Sequence, residues 1–125
     1  MARLELGQRA ERRRSFSPAD ADQLRHLTGA ISLNGHVPEA LINALFSDLL
    51  GVDLPGRGTN YLKQETEFLR PAPLDVEIIA SVEITRLRAD KHLVDLSTTC
   101  RLEDGTELAR GRALVMARDV DGAWG

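Results

Sequence analysis

The pattern of hydrophobic and polar positions predicts a strand, a short helix, a long helix and then four consecutive strands. Residues 8–16 suit a first strand of the edge type. A helix start follows, because Ser17 can cap, Pro18 suits a first turn and Asp20 complements the helix dipole. Gly29 is the expected end of this short helix.

The second helix is the most informative element of the pattern. Pro38 suits its first turn and Gly51 follows its end. The residues between them are apolar on nearly every side, which is typical of a buried helix. Since the helix is too short to span a membrane, we expect it at the centre of the fold.

The rest of the chain reads as strands. After a turn-rich connector at residues 54–58, the β-rich runs are residues 59–69, 76–85, 92–101 and 108–117. Asp104-Gly105 marks a tight hairpin before the last run. Because strands and helices are segregated along the chain, we predict one α+β domain over residues 1–118, with an antiparallel sheet curled around the long helix. Residues 119–125 are expected to be a loosely held tail.

Such a sheet leaves two open edges, and pairing an edge with a second copy would protect it from aggregation. The sequence therefore predicts a homodimer.

Composition and charge narrow the classes of function. A net charge of −3 over 125 residues disfavours nucleic acid, which selects a basic face, and the cluster Arg12-Arg13-Arg14 is interpreted as a solvated surface. The chain has one cysteine, so an internal disulfide is impossible, as is usual in a reducing compartment. We see no signal-peptide pattern and no membrane span. These features predict a soluble cytoplasmic protein that binds neither nucleic acid nor membrane.

Three polar residues on the long helix are candidates for chemistry. Glu39, Asn43 and Ser47 follow the spacing i, i+4, i+8, which aligns them on one face. This stripe can face solvent or a dimer partner, line a ligand slot, or form a satisfied core network. His36 precedes the helix start, where the dipole disfavours its charged form and leaves an imidazole able to act as a base.

Metal and cofactor sites are not indicated. Cysteine and histidine do not occur at a spacing that resembles a metal site. Gly56-Arg57-Gly58 lacks the Lys-Ser/Thr ending of a phosphate loop and precedes a strand, so it is interpreted as a turn.

Two phrases carry a family resemblance: residues 45–51, LFSDLLG, and residues 54–62, LPGRGTNYL. They resemble the MaoC-like, (R)-specific enoyl-CoA hydratase family, whose helix ends in Leu-Phe-Ser-x-Leu-Leu-Gly before Leu-Pro-Gly-x-Gly-Thr-x-Tyr-Leu. Residues 68–71, FLRP, are similar to the end of its next strand. The resemblance spans residues 4–117 and implies the hot-dog fold, in which a curved antiparallel sheet wraps a long central helix.

The chain also departs from the family pattern. The family's hydration motif is Asp-x-Asn-Pro-x-His, and Ala30 stands at the position of its aspartate. The segment from there to the long helix is shorter than is usual. The family helix begins Val-His-Gly-Met, whereas residues 37–40 here read VPEA. Ser47 matches a family serine near the active site.

The resemblance implies a protein that acts on or binds acyl-CoA or acyl-carrier thioesters, with (R)-type hydration or dehydration by changed catalytic residues. His36 and Glu39 are the acid/base candidates, and the amides of Glu39 and Ala40 can form an oxyanion site. The candidates for substrate contacts are Asn34, Ala40, Asn43, Ser47, Arg57 and Lys63.

Two alternatives stay open. One is a catalytically silent domain that binds acyl thioesters or assembles with an active partner. The other is a hot-dog thioesterase that uses Glu39 as its carboxylate.

Overall fold

The computed structural model of the chain describes residues 3–28 and 36–125, with only the backbone described at residues 24–28. The predicted order of helices and strands is confirmed. The elements are β1 (Arg9–Arg14), α1 (Pro18–Thr28), α2 (Glu39–Asp48), β2 (Asn60–Phe68), β3 (Ile78–Arg88), β4 (Leu93–Leu102) and β5 (Glu107–Met116). Gly29, Ala30 and Asn34 lie outside the described residues.

The strands in the described part of the chain form one 5-stranded antiparallel sheet in the order β1-β3-β4-β5-β2. Strands β3, β4 and β5 are joined by consecutive hairpins. The predicted turn between β4 and β5 is confirmed: the Leu102 amide donates to the Thr106 carbonyl at 2.9 Å, and Gly105 takes a φ of +93°, which favours glycine. β1 and β2 are the two edges of the sheet.

The core lies between α2 and the inner face of the sheet. Ile42, Leu45 and Phe46 of α2 are buried in one cluster with alternate residues of the central strands, such as Val94 and Leu96. This alternation follows from the pleat, which points successive side chains to opposite faces. The predicted α+β architecture, with one helix against a curved antiparallel sheet, is confirmed.

The expectation that α2 is buried on every side is wrong. Ala40 and Ala44 are exposed, as are Glu39 and Asp48. Alanine counts as apolar in a sequence pattern, but it has little surface to bury and tolerates exposure. The apolar side of α2 therefore faces the sheet, and a side with small residues faces away from it.

The predicted end of the long helix is also different. A π-helical turn, Leu49–Asp53, continues α2, so Gly51 lies within the helical segment and not after it. Arg12 of β1 forms ion pairs with Asp48 and, at 2.8 Å, with Asp53. One arginine of the predicted basic cluster thus ties the end of α2 to an edge strand.

The start of α1 forms as predicted. The Ser17 hydroxyl accepts from the Asp20 amide at 3.2 Å, and the Asp20 carboxylate accepts from the Ser17 amide at 2.8 Å. This reciprocal pair is a capping box with aspartate at its third position. Hydrogen bonds from the Ser17 amide and hydroxyl lower the pKa of Asp20.

The run predicted to end at residue 85 extends further, because β3 continues to Arg88. The β3–β4 register shifts between Ile84 and Arg86, and Arg88 then reaches Asp95 with an ion pair of 2.8 Å. The polar residues at this exposed end of the hairpin are typical of a loop, so the sequence pattern places the end of β3 too early.

The expectation of a loosely held tail is wrong. Val120 and Ala123 are buried, and the Leu4 amide donates to the Ala123 carbonyl at 2.9 Å. The Trp124 indole N–H donates to the Ala117 carbonyl at 3.0 Å. These non-local contacts are absent from any local sequence pattern.

Gly111 lies where β5 has no room for a side chain beside the edge strand β2. A Cβ atom at residue 111 would overlap the carbonyl oxygen of Glu65. The two strands are paired through Thr66 at this level, so backbone and not a flexible side chain would have to move.

We expect Gly111→Ala to lower the free energy of unfolding by about 1–3 kcal/mol, because added volume in a packed site forces backbone shifts. Urea denaturation measures this change. Arg112→Ala is the matched control at the next position. Because the Arg112 side chain is 73% exposed, its removal should lower the free energy of unfolding by less than ~1 kcal/mol. Equal stability of the two variants would contradict the steric interpretation.

Candidate active site at the start of the central helix

The first turn of α2 presents backbone donors that have no partner among the described residues. Pro38 is the residue before the helix, and a proline side chain has no polar atom with which to cap it. The Leu41 amide donates to the Pro38 carbonyl at 3.0 Å. The amides of Glu39 and Ala40 precede it and have no intrahelical carbonyl to bond. This end of the helix also carries the positive end of the dipole, so it favours an anion or a polarised oxygen.

The residues before α2 are fixed against the segment that follows β2. His36 forms a β-bridge with Pro73, and the Val37 amide donates to the Ala72 carbonyl at 2.8 Å. These contacts bring two segments that are distant in sequence to the same place. Between them lies a cleft of about 350 Å³, lined by His36, Val37, Glu39, Phe68, Leu69, Arg70 and Pro71.

The cleft combines an apolar wall with few polar groups. Val37 is buried and Phe68 is half-buried, whereas His36 and Glu39 are both exposed. Arg70 donates to the Glu107 carbonyl at 2.9 Å and supplies a cation at the rim. Backbone donors, an imidazole, a carboxylate and a guanidinium are thus brought together, which is a set suited to acid/base chemistry beside a polarised carbonyl.

The structure brings the two predicted acid/base residues, His36 and Glu39, into this one cleft. The exposure of Glu39 shows that it is not a buried carboxylate. Ala40 lies in the same helical turn, exposed, and its amide points along the helix axis with the other first-turn amides.

The polar stripe on α2 faces the edge strand β2. The Thr66 hydroxyl donates to Asn43 Oδ1 at 2.9 Å, and the Tyr61 hydroxyl donates to the carbonyl of Ser47. Partial burial raises the pKa of Tyr61, so this phenol remains a donor at neutral pH. Glu39 lies at the cleft, while Asn43 and Ser47 are half-buried further along the helix.

The other predicted substrate contacts lie elsewhere. Lys63 pairs with Glu65 at 3.0 Å and lines a separate depression with Asp95. Arg57 is exposed in the turn that follows the π-helical segment, at the opposite end of the helix from the cleft. Asn34 is outside the described residues. The cleft therefore contains neither Lys63 nor Arg57 among its lining residues.

Sequence reasoning missed Arg70 and Phe68 as cleft residues. Both belong to the phrase FLRP, whose resemblance to the family indicates only a strand end. Their position beside the helix start depends on the bridge between His36 and Pro73, which no local pattern encodes.

A second depression lies on the opposite side of α2, towards α1, with a volume of about 420 Å³. Its floor is apolar, formed by Phe16, Leu41, Ala44 and Leu45. The Arg14 guanidinium at its rim lies 4.5 Å above the Phe16 ring centre.

Within the described part of the chain, we find no group of three or more histidine, cysteine or carboxylate side chains that could hold a metal ion. Among the same residues, no helix is long and apolar enough to cross a membrane.

Comparison with known proteins identifies the class. An (R)-hydratase from A. caviae has a solved structure that superposes with a TM-score of 0.85 at 32% identity, covering 90% of this chain and 96% of that chain. The unliganded R-hydratase PhaJ1 of Pseudomonas aeruginosa gives a TM-score of 0.83 at 27% identity, covering 90% and 81%. The fold is therefore the hot-dog fold.

The sequence comparison defines the family. The (R)-specific enoyl-CoA hydratase of Aeromonas caviae is 32% identical over 126 aligned residues, which cover 90% of this chain and 94% of that protein. No protein-family model matches the chain. The chain belongs to the MaoC-like, (R)-specific enoyl-CoA hydratase family.

The single cysteine lies apart from the cleft. Cys100 is fully buried in the core on β4. Burial raises the pKa of its thiol to about 11. A thiolate is the reactive form, so this residue is a small core side chain and not a nucleophile at neutral pH.

We expect Cys100 to resist iodoacetamide in the folded protein at pH 8, because the raised pKa keeps the thiol protonated and the core excludes the reagent. In denaturing urea the same thiol should be alkylated rapidly. Intact-mass spectrometry follows both reactions, and rapid labelling without denaturant would contradict the assignment.

Proposed function

We propose that this protein binds acyl-CoA or acyl-carrier thioesters in the cleft at the start of α2 and catalyses (R)-type hydration or dehydration with changed catalytic residues. The observation that carries the proposal is the uncapped first turn of α2 in the same cleft as His36. Family membership supports the choice of thioester as the polarised carbonyl.

The chemistry requires three roles. The thioester oxygen accepts hydrogen bonds from the amides of Glu39 and Ala40, which stabilise the negative charge that develops on it. His36 removes a proton from water as the water oxygen bonds to the β-carbon. The imidazolium then returns a proton to the α-carbon, so one water is added across the double bond.

Ala30 replaces the family aspartate, so one proton-transfer group has to be supplied from elsewhere. His36 can serve both proton steps in turn. Glu39 is the second acid/base candidate, since it lines the same cleft.

Arg70 is a better candidate for the phosphate contact of CoA or of a carrier than Lys63 or Arg57. Its guanidinium is at the cleft rim, whereas Lys63 is paired with Glu65 at 3.0 Å on another part of the sheet. The planar guanidinium matches phosphate oxygens in a bidentate manner.

Two substitutions at one position test the oxyanion role of the backbone. Glu39→Pro removes the amide at the first helical position, where proline is tolerated. Glu39→Ala keeps the amide and removes only the carboxylate. We expect Glu39→Pro to lower kcat for crotonyl-CoA hydration about 10²–10³-fold, as loss of one oxyanion donor does. Loss of enoyl-thioester absorbance measures the rate.

His36→Ala is expected to lower the same rate about 10²–10⁴-fold. If Glu39→Pro hydrates as fast as Glu39→Ala, the amide is not the oxyanion donor. The thioesterase alternative would instead be established if the protein released free CoA thiol without hydrating the substrate, and if Glu39→Ala abolished that release. Acyl-CoA binding without either reaction would establish the silent binding domain.

The homodimer is proposed on the character of the two sheet edges. β1 carries four arginines and one glutamate in the sequence RAERRR, so two copies of this edge would repel each other. Near the start of β2, Tyr61 and Leu62 are exposed, and Val52 of the preceding π-helical turn is exposed as well. Exposed apolar residues beside an unpaired edge favour β2 as the strand that pairs with a second copy.

An antiparallel copy would also complement the charges of β2. Lys63 lies at one end of the exposed face, and Glu65 and Glu67 lie towards the other. Reversal of one strand therefore brings the lysine of each copy towards the carboxylates of the second.

We expect Leu62→Lys to convert the dimer to a monomer in sedimentation equilibrium, because it places a charge on the paired edge. Leu6→Lys is the matched control, since Leu6 is 66% exposed and lies near β1. A monomeric parent protein, or a dimer that survives Leu62→Lys but not Leu6→Lys, would contradict pairing through β2.

A further inference from the structure

α2 and β2 meet along a line of contact, the seam, that runs from Glu39 and Phe68 to Ser47 and Tyr61. The seam begins at the cleft and is closed a short way inward. Glu39 and Phe68 both line the cleft. The next facing residues are Asn43, one turn along the helix, and Thr66, two residues back along the strand.

Asn43 and Thr66 form a hydrogen bond across the seam, with the Thr66 hydroxyl donating to Asn43 Oδ1 at 2.9 Å. Both residues are half-buried. Neither residue lines the cleft, so the open volume ends before this pair. The Tyr61–Ser47 hydrogen bond closes the seam again further along.

The depression beneath the pair, about 510 Å³, is lined by charged residues such as Glu65 and Arg112 as well as by Thr66, Thr98 and Gly111, and it shares no lining residue with the cleft. Thr66 pairs with Gly111, whose Cα packs so closely that a Cβ would overlap β2 backbone. Gly111 in turn pairs with Thr98, which is fully buried and whose Oγ1 has no hydrogen-bond partner among the described residues. An alkyl chain entering this level would meet polar atoms and would have to break the Asn43–Thr66 bond, which would leave a half-buried donor and acceptor unsatisfied.

We infer that Asn43 and Thr66 form the inner end of the acyl site and restrict it to short acyl chains. This inference rests on the proposed function, because it takes the thioester carbonyl to lie at the amides of Glu39 and Ala40. The four residues from Glu39 to Asn43 span about 6 Å along the helix axis. An extended chain advances about 1.2 Å per bond, so the space fits an acyl group of about four to six carbons.

The apolar depression on the other side of α2 is the rival site for a long chain. Ala44 lies in its floor and neighbours Asn43 in sequence, but on the face turned away from β2. A bulky residue at 44 would fill the depression and leave the seam untouched, which makes the two sites separable by mutation.

The test measures binding of butyryl-, hexanoyl- and octanoyl-CoA by calorimetry, so it does not depend on turnover. Asn43→Ala combined with Thr66→Val removes both polar partners and opens space. We expect the parent protein to gain no affinity from hexanoyl- to octanoyl-CoA. The double variant should bind octanoyl-CoA about tenfold more tightly than the parent does, since each buried methylene contributes roughly fourfold.

Thr66→Val alone breaks the bond with almost no change of volume and should give a smaller gain, which guards against a double variant that fails to fold. Ala44→Trp should leave the chain-length profile unchanged. The inference would be overturned if the affinity of the parent protein kept rising with chain length. It would also be overturned if Ala44→Trp altered the chain-length profile and the double variant did not. In both cases the proposed binding of thioesters would still hold. Absence of binding to all three acyl-CoAs would overturn the proposed function as well.

Discussion

The fold depends on the burial of one side of α2 against a curled antiparallel sheet. Ile42, Leu45 and Phe46 supply the apolar surface, and the π-helical turn adds Leu49 and Leu50, both fully buried. Apolar surface removed from water is the dominant stabilising term in folding. Because these residues face the central strands, the polar side of α2 faces the edge strand β2. The first turn of α2 therefore lies at the edge of the sheet.

The placement of function follows from that orientation. A helix whose flank is packed so tightly cannot turn to present another face, so its amino end is a rigid source of donors. The contacts of His36 with Pro73 and of Val37 with Ala72 fix the approach to this end. The cleft is thus held by backbone pairing and not by the loop residues alone, which is favourable for a site that must position a carbonyl within a fraction of an ångström.

Sequence periodicity predicted the helices, the strand order along the chain and the β4–β5 hairpin, because each is a local pattern. The sequence also singled out His36 and Glu39 as acid/base candidates, and the two meet in one cleft because both flank one helix start. It could not find Arg70, which reaches the cleft through a bridge between distant segments. The pattern overstated the burial of α2, because Ala40 and Ala44 count as apolar whether they are buried or exposed. It missed the packing of residues 119–125, because that segment has no periodic signal.

The docked carboxyl-terminal segment gives the protein a built-in optical reporter. Trp124 is the only tryptophan, and its ring meets His92 edge to face at 5.5 Å between centres. Its indole N–H is bonded to the Ala117 carbonyl, at the end of the last strand. Emission from this ring therefore follows release of the segment from the sheet, whereas far-ultraviolet circular dichroism follows the loss of helices and strands. Coincidence of the two signals during unfolding would mean that the segment and the sheet form one cooperative unit.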